Sequence, residues 1–214
     1  MILVDLLTII FLFSLFAVSH TWLASIKLKE NLTARIGNRI AFYRLFYNIS
    51  SIVIFSAFYA LAPKPDAVVY DLRFPFDMIT FALQVLSLAG FIWASQSISF
   101  REFSGIAQIE RYMHGEYIIE ELDEKQELKL DGAFKYSRHP IYFFSILFLG
   151  LRPTMNLFYL TFFLCAVVYF YAGTFYEEKK LVRMFGDRYA DYQKSVPRMV
   201  PFIGKLNFFK RSSR

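Results

Sequence analysis

One cysteine in 214 residues leaves no intramolecular disulfide to form, and Cys165, inside an apolar stretch, reads as a packing residue. Histidine is nearly as rare. His20, His114 and His139 are scattered, and nothing around them suggests the paired ligands that a metal or haem site needs on facing helices. Charge is missing from five long stretches, which excludes a soluble enzyme of ordinary composition. Those stretches hold almost no ionisable residue, which argues against an ion pathway. The first of them has no basic segment before it, carries Asp5 where a leader would carry Lys or Arg, and ends without a small-residue cleavage site, so it is expected to be a retained helix. No internal repeat and no low-complexity segment occurs.

What fills the chain instead is apolar and aromatic. Hydrophobic residues make up 56%, against about 45–50% in a soluble domain, and 20% are aromatic. The apolar stretches predict helices over residues 2–24, 45–62, 78–98, 140–151 and 153–175. Four of these approach the roughly 20 residues that cross a bilayer, and the fourth in order is short. Pro63 and Pro65 stop the second, Pro140 opens the fourth, and Arg152-Pro153 separates it from the fifth as a tight hairpin. The expectation is an all-α polytopic membrane protein, a single domain over 1–214 with about five transmembrane helices. After residue 175, Leu181, Phe185, Tyr189 and Tyr192 recur at helical spacing, which predicts a cytoplasmic C-terminal amphipathic helix interrupted at Gly186.

Basic residues orient the chain. Of 24 Lys and Arg, 21 fall in the first loop, the third loop and the tail, and three in the alternate loops. The positive-inside rule then places the N-terminus outside and the C-terminus in the cytoplasm. The net charge of +6 needs no nucleic acid to explain it, and the segment Lys205 to Arg214 suits anionic lipid. The acidic run from Glu116 to Asp131 is expected to be a solvated helix or hairpin.

Three constellations carry chemistry. In Tyr136-Ser-Arg-His-Pro-Ile-Tyr142 an Arg, a His and a Tyr gather at the start of the fourth helix, where free N–H groups favour an anion and Arg138 offers a planar donor fork. An interfacial anchor is the alternative. Glu177-Glu178 follows the fifth helix and suits an ammonium group or sugar hydroxyls, or else forms a charge pair with Lys179 and Lys180. Aromatic residues flank both, and their faces attract cations such as a sulfonium. A zwitterionic, sugar-bearing cofactor would satisfy the set.

Arg138-His139-Pro140-x-Tyr142 resembles the signature of membrane methyltransferases, the superfamily that includes isoprenylcysteine carboxyl methyltransferase. The block Glu177-Glu178-x-x-Leu181-x-x-x-Phe185-Gly186-x-x-Tyr189-x-x-Tyr192-x-x-x-Val196-Pro197-x-x-x-Pro201 is similar to the family's second motif, in order and spacing. The resemblance implies a cytoplasm-facing pocket for S-adenosylmethionine. It assigns cofactor contacts to His139, Pro140, Tyr142 and Glu177, an upstream amide contact to Gln108, and to Phe134 the place of an aromatic usually present as Tyr. Arg138 and Glu178 complete the candidate cofactor-binding set. The carboxyl methyltransferases carry an Arg four residues before the first Glu, and this chain has Gly173. That departure, with Phe103-Ser-Gly-Ile-Ala-Gln108 and Pro153-Thr-Met-Asn156, looks more like the methanethiol type of thiol S-methyltransferase. The implied activity is methyl transfer to a small or lipophilic thiol. Prenylcysteine carboxyl methylation, phospholipid N-methylation and a non-enzymatic scaffold or transporter subunit are the alternatives.

Overall fold

The computed structural model describes residues 1–122 and 127–201. In chain order the elements are α1 (Ile2–Ala24), α2 (Ile26–Ile36), α3 (Tyr43–Leu61), β1 (Val68–Asp71), α4 (Phe76–Ser95), α5 (Phe100–Ser104), α6 (Ile106–Met113), α7 (Pro140–Gly150), β2 (Thr154–Asn156), α8 (Leu157–Phe185) and α9 (Asp187–Ser195). Among the described residues, four helical stretches are long and apolar enough to cross a membrane: Ile2–Ala24, Ile26–Leu61, Phe76–Ser95 and Leu157–Phe185. The expected helical, polytopic architecture is therefore present. At 11 residues, α7 rises about 16 Å, half of the roughly 30 Å hydrocarbon thickness.

Two compact units arise by packing: Met1–Lys64 with Ile98–Glu127, and Pro65–Ser97 with the residues from Leu128 onward. In the first, α1 and α3 meet through rings. Phe13 packs edge-on to Phe58 at 5.6 Å and Phe16 edge-on to Phe55 at 5.2 Å, beside the fully buried Ile9. Apolar surroundings offer a polar group no water, so hydroxyls bond locally. Thr8 and Ser14 donate to the carbonyls four residues back, at 2.8 and 2.7 Å. His20 takes Ser51 at 2.9 Å and Tyr47 at 2.7 Å, a satisfied polar contact between the two helices. Gly105 separates α5 from α6 at φ +95°, and a side chain there would meet the backbone nitrogen of Leu45 at 2.7 Å, so both conformation and space demand glycine.

In the second unit α4 lies against α7. Gly90 makes room for the Phe144 ring, and Gln84 donates to the carbonyl of Phe148 at 2.9 Å. Composition and periodicity point only to helices, yet a two-stranded antiparallel sheet also forms. It pairs Val68 with Asn156, Tyr70 with Met155 and Asp71 with Thr154. Each strand is three or four residues long and gains its order from the other. Asn156 then caps α8 by accepting from the Tyr159 N–H at 2.9 Å.

The expected break after residue 175 does not occur. α8 continues through Glu177 and Glu178 for 29 residues to Phe185, and the chain turns at Gly186, φ +54°, before α9. Lys179, Lys180 and Arg183 are good helix formers that extend the apolar span without interruption. The acidic run forms only a 3₁₀ turn at Ile119–Glu121 among its described residues. Asp123, Glu124 and the basic segment Lys205 to Arg214 lie outside the described residues.

Candidate functional site

The site is built where the start of α7 meets the end of α8. Pro140 occupies the first turn of α7, where its missing N–H is no loss. The residues just before it are held by the backbone of the segment that follows α9. Arg138 donates its N–H to the Pro197 carbonyl at 3.0 Å, His139 donates to the Arg198 carbonyl at 2.9 Å, and the Ser137 hydroxyl donates to the Met199 carbonyl at 2.7 Å. Pro197 and Pro201 have no N–H to give, and the carbonyls of this segment serve as acceptors.

Glu178 is the hub. Successive residues of a helix differ by about 100° in direction, so Glu177 and Glu178 cannot face the same way. Glu178 turns inward, its side chain 5% exposed, while that of Glu177 remains 45% exposed. Arg138 donates through Nε to Glu178 Oε1 at 2.8 Å and through Nη1 to the carbonyls of Gln193 and Val196, both at 2.7 Å. The amide of Gln193 and one Nη of Arg198 reach Glu178 Oε2 at 2.9 and 3.1 Å. The fork of Arg138, read in sequence as an anion receptor, is thus committed to a buried carboxylate and two helix-end carbonyls. The alternative of an interfacial anchor does not hold either, since its side chain is only 8% exposed. Glu178 likewise pairs with arginines and not with Lys179 or Lys180.

His139 bridges the two acids, Nδ1 at 3.3 Å from Glu177 and Nε2 at 3.2 Å from Glu178. Its ring stacks on Tyr142 at 5.5 Å with 3° between the planes, and Tyr142 stacks on Phe170 at 5.2 Å. Four residues before Glu177 on the same face of α8, Gly173 opens onto empty space, with nothing within 4 Å of where a Cβ would stand. The face therefore offers an exposed carboxylate oriented by an imidazole, a tier of flat rings and room beside the helix.

Phe134 enters through its backbone, whose carbonyl accepts from the buried Tyr192 hydroxyl at 2.6 Å. Gln108 belongs to the first unit, fully buried, and donates to the Glu102 carbonyl at 2.9 Å. Gln193 and Arg198 stand at unspecified positions of the second motif, and Tyr189 reads there only as one aromatic of a helical repeat, so the sequence carries no site signal for any of the three. The hydroxyl of Tyr189 is buried without a hydrogen-bond partner among the described residues. Burial, reinforced by the neighbouring Glu178 carboxylate, pushes the titration of this phenol upward, so it stays a donor. A buried donor of this kind is costly unless something accepts from it.

Helices of membrane-spanning length, a short proline-headed helix and a histidine between two carboxylates place this site in a polytopic helical membrane protein. The chain belongs to the phospholipid methyltransferase family, whose model matches residues 82–188. Within that breadth it is similar to methanethiol S-methyltransferase 1 of Bradyrhizobium diazoefficiens, 28% identical over 89% of this chain and 65% of that protein. It is 34% identical to the methanethiol S-methyltransferase of Crocosphaera subtropica over 37% of this chain and 31% of that one. It also resembles the protein-S-isoprenylcysteine O-methyltransferase of Schizosaccharomyces pombe, 32% identical over 64% of this chain and 58% of that protein. The chain thus spans less than two thirds of the length of each of these relatives. No solved structure matches it.

Proposed function

We propose that this protein is an integral membrane methyltransferase that moves a methyl group from S-adenosylmethionine to a small or lipophilic thiol. The observation that carries the reading is the face of α8 on which Glu177, held by His139, stands one turn beyond the vacant side-chain position of Gly173. The residues present fit such a cofactor. A carboxylate accepts from ribose hydroxyls or an ammonium group, stacked rings favour a sulfonium, and the Tyr189 hydroxyl lacks an acceptor. The backbone around Phe134 is assigned a further contact of the family's pocket.

S-adenosylmethionine supplies a methyl carbon already activated by its sulfonium. The protein then has only to bind, orient and exclude water. Glu177 and His139 fix the orientation. Tyr142 and Phe170 present ring faces, and Pro140 and Glu178 with Arg138 hold the frame. The acceptor reacts as its thiolate, giving up its proton to water, so no strong general base is needed. Gly173 stands where prenylcysteine methyltransferases hold a carboxylate with arginine, and a buried carboxylate without a cation is strongly disfavoured. A neutral thiol meets no such barrier. We place the N-terminus outside and the C-terminus in the cytoplasm, with α7 as the short arm of a hairpin with α8 and α9 lying at the cytoplasmic face.

Two measurements test this. Purified protein with labelled S-adenosylmethionine and equal amounts of an alkyl thiol and a farnesylcysteine analogue should place label in a thioether; label in a methyl ester overturns the substrate. Glu177→Ala should weaken cofactor binding at least tenfold, from loss of a charged contact of about 2–5 kcal/mol, with an unchanged melting temperature. Unchanged affinity in that variant removes Glu177 from the site.

A further inference from the structure

A cleft of about 330 Å³ opens on the other side of α8 from Glu177, lined by Phe175, Glu178, Lys179, Val182, Gln193 and Arg198. At about 100° per residue, Phe175, Lys179 and Val182 share one helix face and Glu177 faces nearly the opposite way. Glu178 is the wall between the two sides. Its Oε1 faces Arg138 and His139, and its Oε2 faces Gln193 and Arg198.

The cleft holds more positive charge than its own residues balance. Arg198 gives one Nη to Glu178 and lays its guanidinium 4.0 Å over the Phe175 ring. Its remaining donors meet no protein acceptor among the described residues, and the Lys179 ammonium makes no hydrogen bond or ion pair there. Glu178, the only carboxylate among the lining residues, is already shared with Arg138. Lys179, unpaired among the described residues, and Arg198, whose one carboxylate is shared with Arg138, together leave net positive charge in the cleft and form an anion receptor.

The surroundings say which anion. Leu164, Val168, Tyr171 and Phe175 are all exposed and follow one another at spacings of four, three and four residues. They form a single apolar stripe along the membrane-spanning part of α8, and the next residue on that stripe is Lys179. Exposed aromatics at 171, 175 and 176 followed by Lys179, Lys180 and Arg183 mark the depth at which headgroups lie. An apolar track of about three helical turns that ends on Lys179 and on Arg198, with one shared carboxylate between them, has the shape of one phospholipid.

We propose that this cleft binds one anionic phospholipid, with its phosphate between Lys179 and Arg198 and an acyl chain along Leu164, Val168, Tyr171 and Phe175. Through Glu178 its occupancy is coupled to the carboxylate that holds Arg138 and His139. The inference goes beyond the transferase reading and stands without it, since neither the track nor the cations depend on what is methylated.

The test uses the full chain purified in detergent, with phosphatidylglycerol, phosphatidylcholine of the same acyl chains, and inorganic phosphate as probes, bound lipid being counted by native mass spectrometry. One phosphatidylglycerol per chain should be retained, about tenfold in preference to phosphatidylcholine. Lys179→Gln should weaken retention by about fivefold, one basic residue's share at a lipid surface, and Arg198→Gln by at least as much. Lys179 touches no partner among the described residues, so its variant stays informative if Arg198→Gln fails to fold. Four results overturn the proposal: equal retention of phosphatidylcholine, displacement by equimolar inorganic phosphate, displacement by S-adenosylmethionine, or unchanged retention in folded Lys179→Gln. Methyl transfer measured separately in neutral detergent keeps failure of the transferase reading distinguishable from failure of this one.

Discussion

At the scale of residues, two adjacent glutamates of identical chemistry have opposite environments. Glu178 receives Arg138, Arg198, Gln193 and His139, while Glu177 meets only His139 among the described residues and stays open. A paired acid motif is visible in sequence. Which member is structural is not, because that depends on the angular position of α8 against the start of α7. Removing the charge of Glu178 strands a largely buried guanidinium, so Glu178→Gln should destabilise the fold by about 2–5 kcal/mol. The expected result is a clearly lower thermal midpoint in detergent, with loss of cofactor binding following from it. Glu177→Ala by contrast should act on binding alone. Equal midpoints for Glu178→Gln and the parent protein would contradict the hub assignment. Tyr189 makes the same point from the other side. Its place in an aromatic repeat is legible, but its unpartnered hydroxyl emerges only after packing has removed water from it.

Among elements, the long apolar helices follow from composition, because roughly 20 uncharged residues in a row leave the backbone no better way to satisfy itself in lipid. Their ends are less legible. The change from apolar to charged at residue 175 suggested a terminus, yet a helix in water and a helix in lipid share one backbone, and α8 crosses that boundary to Phe185. The sheet of β1 and β2 was illegible for a different reason. Each strand is too short to show a period, and its partner lies more than eighty residues away. The contact between α4 and α7 rests on Gly90, where an added Cβ would stand 2.3 Å from the Phe144 ring. Gly90→Val should therefore destabilise the protein by about 1–3 kcal/mol, the usual range for overpacking. Combining Gly90→Ala with Phe144→Leu should recover most of what Gly90→Ala alone loses, measured as a double-mutant cycle of thermal midpoints. Strict additivity would show that the two residues do not meet.

For the whole molecule, the proposed orientation makes a simple expectation. A reporter fused after Arg214 should behave as cytoplasmic and one inserted between Lys64 and Asp77 as external, and the reverse pattern would move both motifs away from the cytoplasmic cofactor pool. Membership of a polytopic helical class, the family and the identity of the motif residues were already determined by the sequence. Span hydropathy and fixed spacings such as Arg138-His139-Pro140-x-Tyr142 are local properties that need no partner to be expressed. Tertiary structure alone decided what those residues face. It committed Arg138 to Glu178 and two carbonyls, set His139 between two acids, left Gly173 open, and brought Arg198 from an unspecified position of the motif into a cleft with Lys179. The physical reason is that a charge is assigned its partner by distance and burial, and both are fixed only when segments some forty to sixty residues apart in the chain close on one another.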